Sequence, residues 1–184
     1  MYSSKDDPWG FDERWYEQRK YAVTMAALPR ERYERAFEPG CANGALTELL
    51  AARCESVVAA ELLPDVAERA RTRLSGHEGV SVEVGEFPGT WPDGTGDLVV
   101  WSEIAYYLTE PGCETALERL ASWLRPGGDL VAVHWLGETN YPRPGSAIAD
   151  WLDAVPTLDR LVSHVDEEFE LGVWRHSPTP EGRA

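Results

Sequence analysis

Phe37-Glu38-Pro39-Gly40-Cys41-Ala42-Asn43-Gly44 runs straight into the helical pattern Ala45-Leu46-Thr47-Glu48-Leu49-Leu50-Ala51-Ala52. An acidic residue, a glycine two positions later and another glycine four after that predict a strand-to-helix turn with no bulk on it. Such a turn lets a ligand lie against bare backbone near the positive end of a helix. Further on, a second short apolar run, Val57-Val58-Ala59-Ala60, ends in Glu61. A carboxylate at the tip of the second strand of a βαβ unit is where a ribose diol is gripped. Together they predict a nucleoside-bearing cofactor. The plain alternative is an ordinary turn with a helix-entry glycine and no ligand.

The glycine spacing narrows the cofactor. A dinucleotide fingerprint needs G-x-G-x-x-G, because its second glycine admits a pyrophosphate. Here Gly40 is followed by Cys41 and Ala42, and no Lys follows Gly44 to make a phosphate-cradling loop. An acidic residue before a loop that is glycine-rich only at its ends suits a cofactor without phosphates, whose amino group needs a carboxylate partner. S-adenosylmethionine is such a molecule. The missing G-x-G argues against a nicotinamide-dependent reductase. A non-catalytic binding domain is disfavoured by the intact Gly40, Gly44 and Glu61.

The chain has 184 residues, 43% of them hydrophobic, which suits one domain with a single filled core. No run approaches the roughly 18 apolar residues of a membrane span. The start, Met1-Tyr2-Ser3-Ser4-Lys5-Asp6-Asp7, lacks the basic and apolar regions of a secretory signal. Three scattered cysteines, Cys41, Cys54 and Cys113, fit reduced thiols, so the expected location is cytoplasmic. No Cys/His grouping suggests a metal. Seventeen Lys and Arg against 32 Asp and Glu give a net charge of −15, a field that opposes nucleic acid. The expected partner is a small molecule.

Strands and helices alternate along the chain. Residues 12–28 read as a helix with Trp15, Arg19 and Ala22 on one side, closed by Pro29. Strands follow near 35–38, 56–60, 80–84, 97–101 and 130–135. Helices are expected to about residue 53, from Pro64 to about 71, over 114–124 and over 146–155. Arg125-Pro126-Gly127-Gly128 reads as the stop of the 114–124 helix, and 161–175 as a terminal strand pair. Repeated βα units predict a mostly parallel sheet covered on both faces.

Glu38-x-Gly40-x-x-x-Gly44, Glu61, Asp97-Leu98-Val99-Val100 and Leu124-Arg125-Pro126-Gly127-Gly128 resemble the class I S-adenosylmethionine-dependent methyltransferases. Asp7-Pro8-Trp9-Gly10-Phe11, Trp15-Tyr16-Glu17, Arg19-Lys20-Tyr21, Trp91-Pro92, Ser102-Glu103 and Tyr106-Tyr107-Leu108 are similar to the nodulation-protein-S-like branch of small-molecule N-methyltransferases. The similarity runs from about residue 7 to His134. It implies an α/β, Rossmann-like three-layer sandwich with a mostly parallel seven-stranded sheet and an antiparallel C-terminal strand. It also implies an amino-terminal lid helix over about 1–30, a cofactor core over about 35–135 and an acceptor side over about 136–184.

By that resemblance Glu38, Gly40 and Gly44, with Cys41 between them, line the methionine moiety of the cofactor. Glu61 accepts from the ribose hydroxyls, Leu62 stacks on adenine, and Glu86 and Phe87 meet its edge. Leu62 as mere core and Glu86 as a loop carboxylate are the bland alternatives. If the first helix folds over the cofactor, Trp15 and Tyr16 exclude water and Arg19 pairs with the methionine carboxylate. Residues 136–150 are expected to rim the acceptor pocket.

Methyl transfer is mainly alignment, plus loss of a proton from the acceptor. Ser102 and Glu103 leave strand four, and His134 leaves strand five, at the sheet end where such sites lie. His134 is the base candidate, since an imidazole near its unperturbed pKa of about 6.5 accepts protons at neutral pH. The competing reading is a histidine bonded to backbone. Glu103 is placed to hold a substrate ammonium, and Tyr107 reads as a wall residue. N-methylation of a small amine is expected, with O-methylation second.

Overall fold

A computed structural model describes Gly10 and residues 13–177. Of the Asp7–Phe11 motif only Gly10 is among them, so Trp9 lies outside the described residues. The elements are α1 (Trp15–Ala27), β1 (Tyr33–Pro39), α2 (Ala45–Ala51), β2 (Cys54–Glu61), α3 (Pro64–Leu74) and β3 (Val80–Val84). They are followed by β4 (Gly96–Ser102), α4 (Glu110–Trp123), β5 (Leu124–Trp135), α5 (Ile148–Asp153), β6 (Leu158–Val165) and β7 (Phe169–His176).

The strands form one sheet in the order β3-β2-β1-β4-β5-β7-β6. All run parallel except β7, which is antiparallel to both β5 and β6. The chain steps outward from β1 to β3, then returns past β1 to β4. That reversal opens a crevice at the carboxyl ends of β1 and β4, the usual ligand position in an open α/β sheet. The fold matches the expected architecture.

Strands β4 and β5 carry continuous apolar runs because helices cover both faces. Leu98, Val99, Val100 and Trp101 of β4 have no exposed surface. One face carries an aromatic layer in which Phe37 packs on Trp91 and Trp123, and Trp101 on Phe87 and Trp151. Gly96 is required beneath it: a Cβ there would lie 2.0 Å from Trp123 Cη2 and 2.7 Å from the Arg35 carbonyl oxygen. The other face packs Tyr21, Tyr33, Leu46, Leu50, Val100 and Phe169. At the amino end of the sheet, Asp129 accepts from Tyr33 Oη and Arg175 Nε, and Arg30 bridges Asp129 and Asp97.

Three local expectations change. α4 starts at Glu110, four residues early, because Thr109 caps it and Pro111 sits in the first turn, where no amide hydrogen is needed. Arg125–Gly128 does not stop at a turn. Pairing jumps from Gly96↔Leu124 to Leu98↔Asp129, so this segment is an irregular start of β5, with Gly127 at φ +81°. The buried stripe of α1 is Glu17, Lys20, Tyr21 and Thr24, not Trp15, Arg19 and Ala22; Trp15 is 72% exposed.

Candidate active site

A cavity of ≈ 1000 Å³ occupies the crevice at the carboxyl ends of β1 and β4. It lies at the top of the range for small-molecule sites, room enough for two ligands side by side. One half is built by the βαβ unit that contains the glycine loop. Gly40 holds φ +71°, and a Cβ there would stand 2.8 Å from Ile104 Cδ1, so only a bare backbone allows Ile104 to close on the loop. Gly40, Cys41 and Ala42 all line the cavity. Gly44 does not, although it follows the motif spacing. It caps α2 at φ +82°, and a Cβ on it would press 3.0 Å from Leu74 Cδ1, so its task is helix packing.

Glu61 is 8% exposed at the tip of β2. Its Oε2 accepts from the Ala42 amide at 3.1 Å and its Oε1 from the Leu63 amide at 3.0 Å. A carboxylate has about four acceptor sites, so each oxygen keeps capacity for one more donor, which suits a vicinal diol. Glu38 is 2% exposed and accepts from Thr47 Oγ1 at 2.6 Å. Burial pushes its carboxyl up to about 7, against the lowering effect of the Thr47 hydroxyl. A cationic amine would favour its ionised form. Leu62, Glu86, Phe87 and Ser102 also line the cavity, where the sequence put them. The Cys41 thiol is pushed well above its usual range, by burial first and by Glu38 and Glu61 next.

The other half gathers residues from distant segments around Glu103. This residue follows β4 in a left-handed conformation at φ +55°. Its Oε1 accepts from Tyr16 Oη at 2.8 Å and Lys20 Nζ at 3.1 Å; its Oε2 accepts from Tyr106 Oη at 2.6 Å and the Trp135 amide at 3.2 Å. Lys20 is 1% exposed and also pairs with Glu17 at 2.9 Å. Burial alone would raise the Glu103 carboxyl; the Lys20 ammonium, with help from His134 and the two tyrosine hydroxyls, overcomes this and holds it low. Glu103 thus stands where expected, but its ammonium partner is the protein's own lysine. Tyr107 is an exposed wall residue, donating to Tyr141 Oη at 3.2 Å.

Two expectations are corrected. His134 is 2% exposed and is not among the cavity-lining residues. Its Nε2 accepts the Ala105 amide hydrogen at 3.0 Å, and burial drives the imidazole down to about 4. The lone pair a base needs is spent on holding the 3-10 turn Ala105–Tyr107. Arg19 turns away from the cavity: Nη1 pairs with Asp166 at 2.6 Å and the guanidinium covers Phe169. It latches α1 to the β6–β7 turn and is not aimed at a ligand carboxylate. Trp15 does line the cavity. Of residues 136–150 only Tyr141 does, while Ile148 and Ala149 join the core. Lys20, Tyr106 and Ile104 were missed as site residues. The spacing of Tyr16, Glu17 and Lys20 on one helical face was the available signal.

Among the described residues, six carboxylates line the cavity (Glu17, Glu38, Glu61, Glu86, Glu103 and Glu168) against two cations, Arg14 and Lys20. Its charge therefore favours cationic ligands. Among the described residues no cluster could hold a metal, and no helix is long and apolar enough to cross a membrane.

Comparison with known proteins agrees with this architecture. Nodulation protein S of Bradyrhizobium diazoefficiens is 34% identical over 131 residues, 68% of this chain and 61% of that protein. Nodulation protein S of Rhizobium tropici is 32% identical over 128 residues, 68% of this chain and 54% of that protein. The chain thus spans little more than half the length of these curated relatives. A Pseudomonas syringae crystal structure, provisionally assigned as a methyltransferase, superposes with a TM-score of 0.79 at 39% identity, covering 89% of this chain and 100% of that one. The N-methyltransferase NodS of Bradyrhizobium japonicum WM9, in complex with S-adenosyl-L-homocysteine, shares the fold with a TM-score of 0.83 at 24% identity, covering 97% of this chain and 94% of that one. The family model for nodulation protein S matches residues 3–134. The chain belongs to the nodulation protein S (NodS) family.

Proposed function

We propose that this protein transfers the methyl group of S-adenosylmethionine to the nitrogen of a small amine. The observation that carries the reading is the two-part acidic cavity: Glu61, with acceptor capacity left on both oxygens, on one side, and the tyrosine-bound Glu103 on the other. The cofactor supplies an electrophilic sulfonium methyl. Glu61 takes its ribose hydroxyls, buried Glu38 its ammonium, Leu62 and Phe87 its base, and Trp15 on α1 shields it from water. α1 is the lid in this reading, and the segment after β5 reaches the acceptor side through Tyr141. Membership of a family with N-methyltransferase relatives supports the nitrogen acceptor. Three buried free thiols and the −15 charge support a reducing cytoplasm and a small-molecule partner.

Calorimetric titration with S-adenosylhomocysteine tests the cofactor side. Burial pushes the Glu38 carboxyl up to about 7, so below neutral pH its proton has to leave for it to pair with a cationic amine. The association constant should hold level from pH 7 up to the point where the ligand's own ammonium titrates, and fall roughly tenfold per pH unit below 7, an effect that Glu38→Gln removes. A pH-independent affinity between 5 and 7 sinks the Glu38 assignment.

His134→Gln preserves an acceptor for the Ala105 amide. It should keep kcat/KM within about tenfold of the parent, with an unchanged pH profile, whereas loss of a true general base costs about a hundredfold or more. A hundredfold loss with a shifted profile would restore His134 as the base.

A further inference from the structure

We infer that the phenolic oxygens of Tyr16 and Tyr106 seat the acceptor nitrogen by accepting its N–H bonds, and that Glu103 acts only through them. The inference rests on the proposed methyl transfer and names the groups that touch the acceptor. Each Glu103 oxygen already accepts two hydrogen bonds, Oε1 from Tyr16 and Lys20, Oε2 from Tyr106 and the Trp135 amide. The usual acceptor capacity of a carboxylate is thereby filled by protein donors, leaving none for an incoming ammonium.

What the carboxylate does instead is orient two hydroxyls. Tyr16 and Tyr106 both line the cavity, and each spends its single proton on an opposite oxygen of Glu103. A phenol whose hydrogen is so committed can offer a ligand only its lone pairs. Burial and the Glu103 charge push both phenols far above their usual range, so they stay protonated and keep donating inward. The two phenols therefore present acceptors, not donors, to the cavity. An amine with two N–H bonds can fill both and keep its lone pair directed elsewhere. An alcohol has one O–H and can fill one. Lys20, buried and shared between Glu17 and Glu103, is a positioning residue that keeps the carboxylate charged.

The test uses the full chain saturated with S-adenosylhomocysteine, and benzylamine, N,N-dimethylbenzylamine and benzyl alcohol as probes. Failure to bind S-adenosylhomocysteine would overturn the proposed function itself, so that titration comes first. With it bound, benzylamine should bind about tenfold more tightly than either other probe, and Tyr106→Phe should remove most of that preference while leaving S-adenosylhomocysteine affinity unchanged. A crystal structure of the ternary complex should place the benzylamine nitrogen within hydrogen-bond distance of both Tyr16 Oη and Tyr106 Oη. Equal binding of amine and alcohol, no benzylamine binding, a preference that survives Tyr106→Phe, or a nitrogen seated on a Glu103 oxygen would each overturn the inference.

Discussion

Glu61→Ala is expected to weaken S-adenosylhomocysteine binding by at least about a hundredfold. Two charge-assisted hydrogen bonds to the ribose would be lost, each worth about 1.5–3 kcal/mol. The damage extends to the loop itself. Glu61 accepts from the Ala42 and Leu63 amides, and Ala42 sits at φ +49°, a conformation that non-glycine residues keep only when neighbours hold them there. The variant should therefore also lose about 1–3 kcal/mol of stability from the stranded amides. Calorimetry gives the affinity, and urea unfolding shows that the protein is still folded under the titration conditions. Unchanged affinity in a folded variant would remove the cofactor from this site.

Lys20→Met should be the most destabilising single change in the acceptor half. It leaves Glu17 and Glu103 facing each other without their shared cation, in a place where neither can be well hydrated. Removing one partner of a buried ion pair costs about 3–5 kcal/mol, and the partial exposure of Glu103 argues for the lower end. The sign with pH follows from Glu103. Its carboxyl is held low in the folded parent, so the stabilisation it contributes is present above its unfolded value and lost as pH falls through the folded one. Without Lys20, burial would instead raise that carboxyl, and the cost would grow as pH rises above about 4.5. Urea unfolding of parent and variant at pH 5 and pH 7.5 should show a larger deficit at pH 7.5. An equal deficit at both would assign the loss to packing.

The cofactor half was legible because its information is local. Strand, glycine loop, helix and acidic strand tip follow one another in Phe37–Glu61, and period and glycine placement suffice to order them. The acceptor half was less so. α1 turns a stripe of Glu17, Lys20, Tyr21 and Thr24 inward, and a polar stripe reads as a solvent face until its partners are known. The partners of Lys20 include a carboxylate on a residue whose positive φ no sequence pattern signals. Arg19 and Lys20 are adjacent, yet one grips Asp166 and the other Glu103, and only the packing angle of the helix decides which. His134 shows the opposite failure. Its strand-end position was read correctly, but a strand end can still be covered, here by the Ala105–Tyr107 turn whose first amide it holds.

The tie between Tyr16 and Glu103 spans 87 residues, and that between Lys20 and Glu103 spans 83. Most of the proposed cofactor wall, by contrast, comes from one stretch between residues 38 and 87, with Trp15 and Ile104 added from outside it. Closing a long loop costs entropy before any contact rewards it, so the two walls belong to different stages of assembly. One is largely built once the local β1–β3 segment has formed. The other exists only after the chain's beginning has met its middle. Substitutions at the beginning and middle of the chain can therefore redraw what the pocket recognises without touching the stretch proposed to hold the cofactor.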